Sequence, residues 1–93
     1  MDIPFTARIT ASPDVLLSKV GGECVFLNLQ SESYFGLDEV GARMWDVLTT
    51  SESLQAAYES LVEEFDVAPD QLQRDLQDLV EQLSVAALVQ VNG

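Results

Sequence analysis

Histidine is absent from the 93 residues, and cysteine occurs once, as Cys24. A cysteine–histidine nucleophile pair therefore cannot be built, and neither can an intramolecular disulfide. A zinc site would need carboxylates for nearly all of its ligands, against the usual preference for Cys and His. Basic residues are also scarce. Arg8, Lys19, Arg43 and Arg74 stand against sixteen acids, for a net charge of −12. That balance repels phosphate backbones, whereas nucleic-acid affinity depends on neutralising phosphates and releasing counterions. It favours a basic peptide or a basic protein surface, because opposite charge speeds encounter; it also keeps a small protein soluble. No glycine-rich phosphate loop is present. Paired carboxylates could in principle do acid–base work, but no spacing singles out two of the sixteen. These gaps lead to an expectation of no enzyme, no cofactor and no metal. No apolar run approaches a membrane span, and Met1-Asp2-Ile3-Pro4 has neither the basic start nor the apolar core of a secretion signal, so a cytoplasmic location is expected, with no membrane partner.

What is present reads as one small α+β domain. Residues 1–13, with Pro4 and Pro13, read as a flexible N-terminal arm, and residues 14–93 as a single domain. Residues 15–20 suit a strand. Gly21-Gly22 suits a tight turn, since paired glycines accept positive φ. Residues 23–29 suit the partner strand, with Cys24 expected to be buried in its apolar run. Residues 32–36 suit a third strand, making an antiparallel meander. The period then changes. Asp38 reads as an N-cap, and Val40, Met44, Val47 and Leu48 share a helical face flanked by Trp45. A second helix is expected over about 53–65, with Leu54, Ala57, Tyr58, Leu61, Val62 and Phe65 on one face. Pro69 suits the first position of a third helix, and Leu72, Leu76, Leu79, Val80 and Leu83 line one of its faces. Leu88, Val89 and Val91 suggest a short extended ending. A three-stranded antiparallel sheet followed by three helices is winged helix-turn-helix-like.

Such a meander leaves edges with unpaired backbone groups. The third strand, Glu32-Ser33-Tyr34-Phe35, is short and aromatic, with Tyr34 and Phe35 on opposite faces. An extended peptide could add there, its backbone supplying affinity and side-chain pockets supplying selectivity. Leu72, Leu76 and Leu79 could form an apolar wall, with Asp75 beside them to hold a basic or amide group. The competing reading is that leucines at helical spacing are core and that strand aromatics are packing. Residues 52–81 carry nine acids against Arg74 alone, which fits either a basic guest or a solvated face.

The run Leu27-Asn28-Leu29-Gln30-Ser31-Glu32-Ser33-Tyr34-Phe35-Gly36-Leu37-Asp38-Glu39-Val40-Gly41-Ala42-Arg43-Met44-Trp45 resembles the PqqD-like family of peptide recognition elements. The matching features are the Leu-Asn-Leu strand, the Tyr-Phe-Gly-Leu-Asp turn into a helix, and Gly41-Ala42-Arg43-Met44-Trp45 within that helix. Asp75-Leu76 followed by Leu79 is similar to the family's third helix. The likeness covers roughly residues 14–90 and is strongest to the separate leader-binding proteins of split lasso peptide systems. It implies a domain that binds the leader of a ribosomally made precursor peptide. The leader would add antiparallel to the third strand, in a cleft against the third helix. Carried across, this implicates Glu32, Ser33, Tyr34 and Phe35 for strand pairing and Leu72, Asp75, Leu76 and Leu79 for the opposing wall, with the facing of the strand residues left open. The implied partners are the precursor leader, a leader-removing cysteine protease and an ATP-dependent lasso cyclase.

Two other classes compete. An acidic winged-helix interaction or DNA-binding regulator has the right topology, but its third helix would show duplex DNA Asp70, Asp75, Asp78 and Glu81 against one arginine. An acyl carrier needs a serine at a helix start, where this chain has Glu39, and four helices rather than a strand-rich first third.

Overall fold

The computed structural model describes residues 3–92. In chain order the elements are β1 (Arg8–Ala11), β2 (Val15–Val20), β3 (Glu23–Asn28), β4 (Ser33–Leu37), α1 (Glu39–Thr50), α2 (Leu54–Glu64), α3 (Pro69–Val85) and β5 (Val89–Asn92). β2, β3 and β4 form an antiparallel sheet in that order, and β1 pairs antiparallel with β5 in a separate two-stranded ribbon. The β2–β3 turn is Gly21-Gly22, at φ +61° and +98°, where a side chain would be strained.

The β3–β4 turn is built differently. Asn28 is 95% buried by residue, with a relative exposure of 5%. Its Oδ1 accepts hydrogen bonds from the backbone N–H of Gln30 at 2.9 Å and Ser31 at 3.3 Å. Glu32 then takes φ +55° to bring the chain round. The expected strand over 32–36 is thus displaced by one residue, to Ser33–Leu37. Glu32 belongs to the turn, because its left-handed backbone cannot continue a ladder.

One face of the sheet is alternately filled. Cys24 and Phe26 are buried, Phe35 is half-buried opposite Phe26, and Leu37 closes the end. Against this face lies α1, with Ala42, Met44, Trp45, Val47 and Leu48 buried. The Phe26 and Trp45 rings stand 4.5 Å apart, tilted at 59°. Val40, in the first turn, is exposed rather than part of the expected stripe. Leu54, Ala57 and Leu61 of α2 and Leu72, Leu76, Val80 and Leu83 of α3 complete the core.

Asp38 starts α1 by accepting the Gly41 N–H at 2.9 Å, as the sequence led one to expect. Removing that acceptor in Asp38→Ala should destabilise the protein by about 1 kcal/mol, readable as a lower denaturant midpoint with an unchanged slope. Arg43 Nε and Nη2 grip the Glu64 carboxylate at 2.7–2.9 Å and tie α1 to α2. This hydrogen bonding holds the Glu64 carboxyl below its ordinary value. The contribution is present at neutral pH and is lost only as pH falls through that lowered value.

The N-terminal stretch, expected as an arm over residues 1–13, packs against the rest of the chain where it is described. Met1 and Asp2 lie outside the described residues, as does Gly93. From Ile3 onward the chain is held by physical contacts. Ile3, Ala7 and Ile9 are buried. Gln77 of α3 accepts the Ile3 N–H at 2.9 Å and donates to the Ile3 carbonyl at 2.8 Å. The carbonyls of Ala7 and Phe5 accept the N–H groups of Leu54 and Gln55, which the first turn of α2 cannot satisfy internally. β1 then pairs with β5 from Arg8↔Asn92 to Ala11↔Val89. The two prolines precede and follow this ribbon strand rather than breaking it.

Candidate peptide-binding cleft

β4 has a neighbour on one side only among the described residues, which is β3. Which of its backbone groups point outward follows from one bond. The Leu29 N–H donates to the Asp14 carbonyl at 2.9 Å, so Leu29 faces the β2 side. Hydrogen-bonding direction alternates along an antiparallel strand. Glu23, Val25 and Leu27 therefore also face β2, while Cys24, Phe26 and Asn28 face β4. Their partners are Leu37, Phe35 and Ser33. Those three residues spend their N–H and C=O groups inside the sheet. Tyr34 and Gly36 direct theirs outward.

Side chains sort along the same strand. Tyr34 is 73% exposed on the outer face of the sheet, beside Leu27, Leu29 and Glu32. Phe35 turns to the helical side. There it lines an open cavity of about 420 Å³ with Asp78, Glu81, Gln82, Val85 and Ala86 of the α3 end. A free strand edge thus runs beside a cleft with an aromatic on one wall and a helix on the other. A larger groove of about 660 Å³ crosses α3 at Ile3, Pro4 and Phe5, but it has no strand edge to complete.

The eight residues expected at the site separate into two groups. Ser33, Tyr34 and Phe35 lie on β4, and Glu32 sits in the turn before it. Leu72 and Leu76 are fully buried in the core, so they are not a wall for a guest. Leu79 is partly buried and packs on the same core. Asp75 accepts a hydrogen bond from Gln71 at 2.8 Å and lies outside the cavity lining. The physical reason is helical geometry: the Leu72–Leu76–Val80–Leu83 stripe must cover the core, so the adjoining face of α3, nearer its C-terminus, looks toward β4. The sequence held one signal of this. Val85 is apolar yet 82% exposed, off the core stripe and inside the cleft.

Asn28 is a second residue that pattern reading missed. Besides shaping the β3–β4 turn, its Nδ2 donates to the Ala86 carbonyl at 3.3 Å. Ala86 ends α3 and lines the cleft. One buried amide therefore ties the strand wall to the helix wall. Cys24 takes no part: it is buried under the sheet, and burial pushes its thiol up, away from the reactive thiolate. Trp45 is also outside the cleft lining; its ring packs on Phe26, the register partner of Phe35. Among the described residues no group of three metal-ligating side chains converges, and no helix is long and apolar enough to cross a membrane.

The family described as coenzyme PQQ synthesis protein D matches residues 23–89. The chain belongs to the PqqD family. Its fold superposes on TbiB1 in complex with the TbiA(beta) leader peptide, with a TM-score of 0.80 and 31% identity over 87% of this chain and 94% of that one. A lasso peptide synthetase B1 complexed with its leader peptide has the same TM-score, at 20% identity over 89% of this chain and 98% of that one, and supports the PqqD fold alone. No curated protein matches the sequence.

Proposed function

We propose that this chain binds the leader segment of a ribosomally made precursor peptide, that of a lasso peptide, by adding it as a strand to β4. The observation that carries this reading is the outward-directed backbone of Tyr34 and Gly36 above the Phe35–Val85 cleft. The similarity to TbiB1, whose structure holds a leader peptide, supports it. Ser33, Tyr34, Phe35 and Gly36 make the strand side of the site; Asp78, Gln82, Val85 and Ala86 make the helix side.

Energetics require both sides. Two outward residues offer four backbone groups, each worth a net ~0.5–1.5 kcal/mol when paired. That total does not reliably exceed the ~4–15 kcal/mol cost of association. Apolar leader side chains packed between Phe35 and Val85 must supply the remainder. The chain performs no chemistry in this scheme. It raises the effective concentration of the leader, to the order of millimolar for a short flexible tether, at a cysteine protease that removes it and an ATP-dependent cyclase that closes the ring. All of this takes place in the cytoplasm, where the precursor is made.

Calorimetric titration with the cognate leader should give a low-micromolar Kd or better, and adding the chain should accelerate leader removal by the protease. No measurable binding to that leader would refute the reading. Val85→Asp sharpens it. Val85 is exposed, so a surface substitution there should change stability by less than about 0.5 kcal/mol. A carboxylate against an apolar leader residue should nevertheless weaken binding roughly tenfold, equivalent to about 1.4 kcal/mol.

A further inference from the structure

The helix wall of the cleft carries Asp78 and Glu81, and no basic side chain lines the cavity among the described residues. Asp78 is exposed and belongs also to the lining of the neighbouring groove at Ile3–Phe5, so the acidic ridge continues past the end of the cleft. In that second groove Arg74 is the one base among the described residues, beside Asp70, Asp78 and Glu81. The protein as a whole bears −12. Asp75, the acid that sequence spacing points to, lies outside the cavity lining and accepts a hydrogen bond from Gln71.

We propose that Asp78 makes the cleft selective for leaders that carry a lysine or arginine at an inward-facing position, an even number of residues from the apolar side chain that packs on Phe35. This rests on the strand-addition reading above and specifies the chemistry of its guest. A strand added to β4 alternates its side chains between the two faces of the sheet. Inward positions therefore recur every second residue, about 6.7 Å apart along the strand. One of them meets Phe35, Val85 and Ala86. Another, two or four residues on, meets the Asp78–Gln82 turn of α3. A guest carboxylate at that position adds to a field that is already negative. A cationic side chain lays its methylenes on the apolar wall and its charge at Asp78.

The test is a selection from a random twelve-residue displayed peptide library with one fixed central leucine, run on the wild-type protein, Asp78→Lys and Tyr34→Pro. Wild type should enrich Lys and Arg at even offsets from the apolar anchor. Asp78→Lys should keep the anchor, lose the basic preference and favour Glu or Asp at the same offset. For one selected peptide, the Lys form should bind wild type about five- to tenfold more tightly than its Glu form, as expected for a solvent-exposed charge pair turned into a repulsion. In Asp78→Lys that order should reverse. Enrichment of bases at no fixed offset, or a basic preference that survives Asp78→Lys, would overturn the assignment of Asp78 while leaving strand addition intact. Failure of the wild type to select any peptide, or identical selection by Tyr34→Pro, would overturn strand addition itself and this inference with it.

Discussion

Replacing Tyr34 with proline should abolish leader binding, weakening it by about a hundredfold or more, while leaving a folded protein. The Tyr34 N–H points away from β3, so the free protein loses no internal ladder bond. An added strand would exchange two hydrogen bonds with this residue. Proline removes the donor and sets its ring in the path of the guest. The lost bond, the guest carbonyl left unpaired and the displaced guest backbone together amount to roughly 3 kcal/mol, and each 1.4 kcal/mol is tenfold in affinity. Position Phe35 supplies the contrast. Its backbone pairs with Phe26, so Phe35→Pro should damage the sheet and lower stability. Tyr34→Ala keeps the backbone donor and should retain most of the affinity, because the ring is on the outer face. Circular dichroism would establish folding, and fluorescence anisotropy with a labelled leader would measure binding. A folded Tyr34→Pro protein with unchanged affinity contradicts edge pairing.

Leu76→Ala should show the opposite pattern. Leu76 has 0% exposure and sits among Leu72, Val80 and Leu83. Truncation removes three buried carbons and leaves a cavity, for a loss of about 3 kcal/mol, within the ~2–5 kcal/mol span of such changes. That is a large share of the stability of a small domain. It should appear as a shift in the denaturation midpoint. At a temperature where the variant is still folded, leader affinity should stay within about twofold of wild type. A normal midpoint with weakened binding would return Leu76 to the cleft wall and contradict the division between core and cleft described above.

Strand and helix order was legible because each element carries its own period. Gly21-Gly22 marks a turn, Asp38 caps a helix and Pro69 opens one. The strand half of the proposed site was legible for the same reason: Ser33-Tyr34-Phe35 lies between a turn and a capped helix. The helix half was not. Periodicity identifies the apolar stripe of α3, and that stripe is what the core claims first. The proposed cleft receives the adjoining face, where Asp78 and Gln82 read as ordinary surface residues and only the apolar Val85, off the stripe, stands out. Facing on β4 was likewise hidden, since alternation states that Tyr34 and Phe35 differ but not which turns inward. The N-terminal ribbon escaped because its four-residue strands, Arg8–Ala11 and Val89–Asn92, lie more than seventy residues apart, and pairing at that distance leaves no local pattern. The role of Asn28 depends on Ala86, fifty-eight positions away, and was invisible for the same reason.

Amide hydrogen exchange at Tyr34 and Gly36, measured residue by residue with and without the leader, addresses edge pairing directly. Both N–H groups should exchange rapidly in the free protein and become protected when the leader is bound, while Phe35 is protected in both states. Protection of Tyr34 and Gly36 before any leader is added, or no gain on binding, would show that β4 is not where the guest pairs.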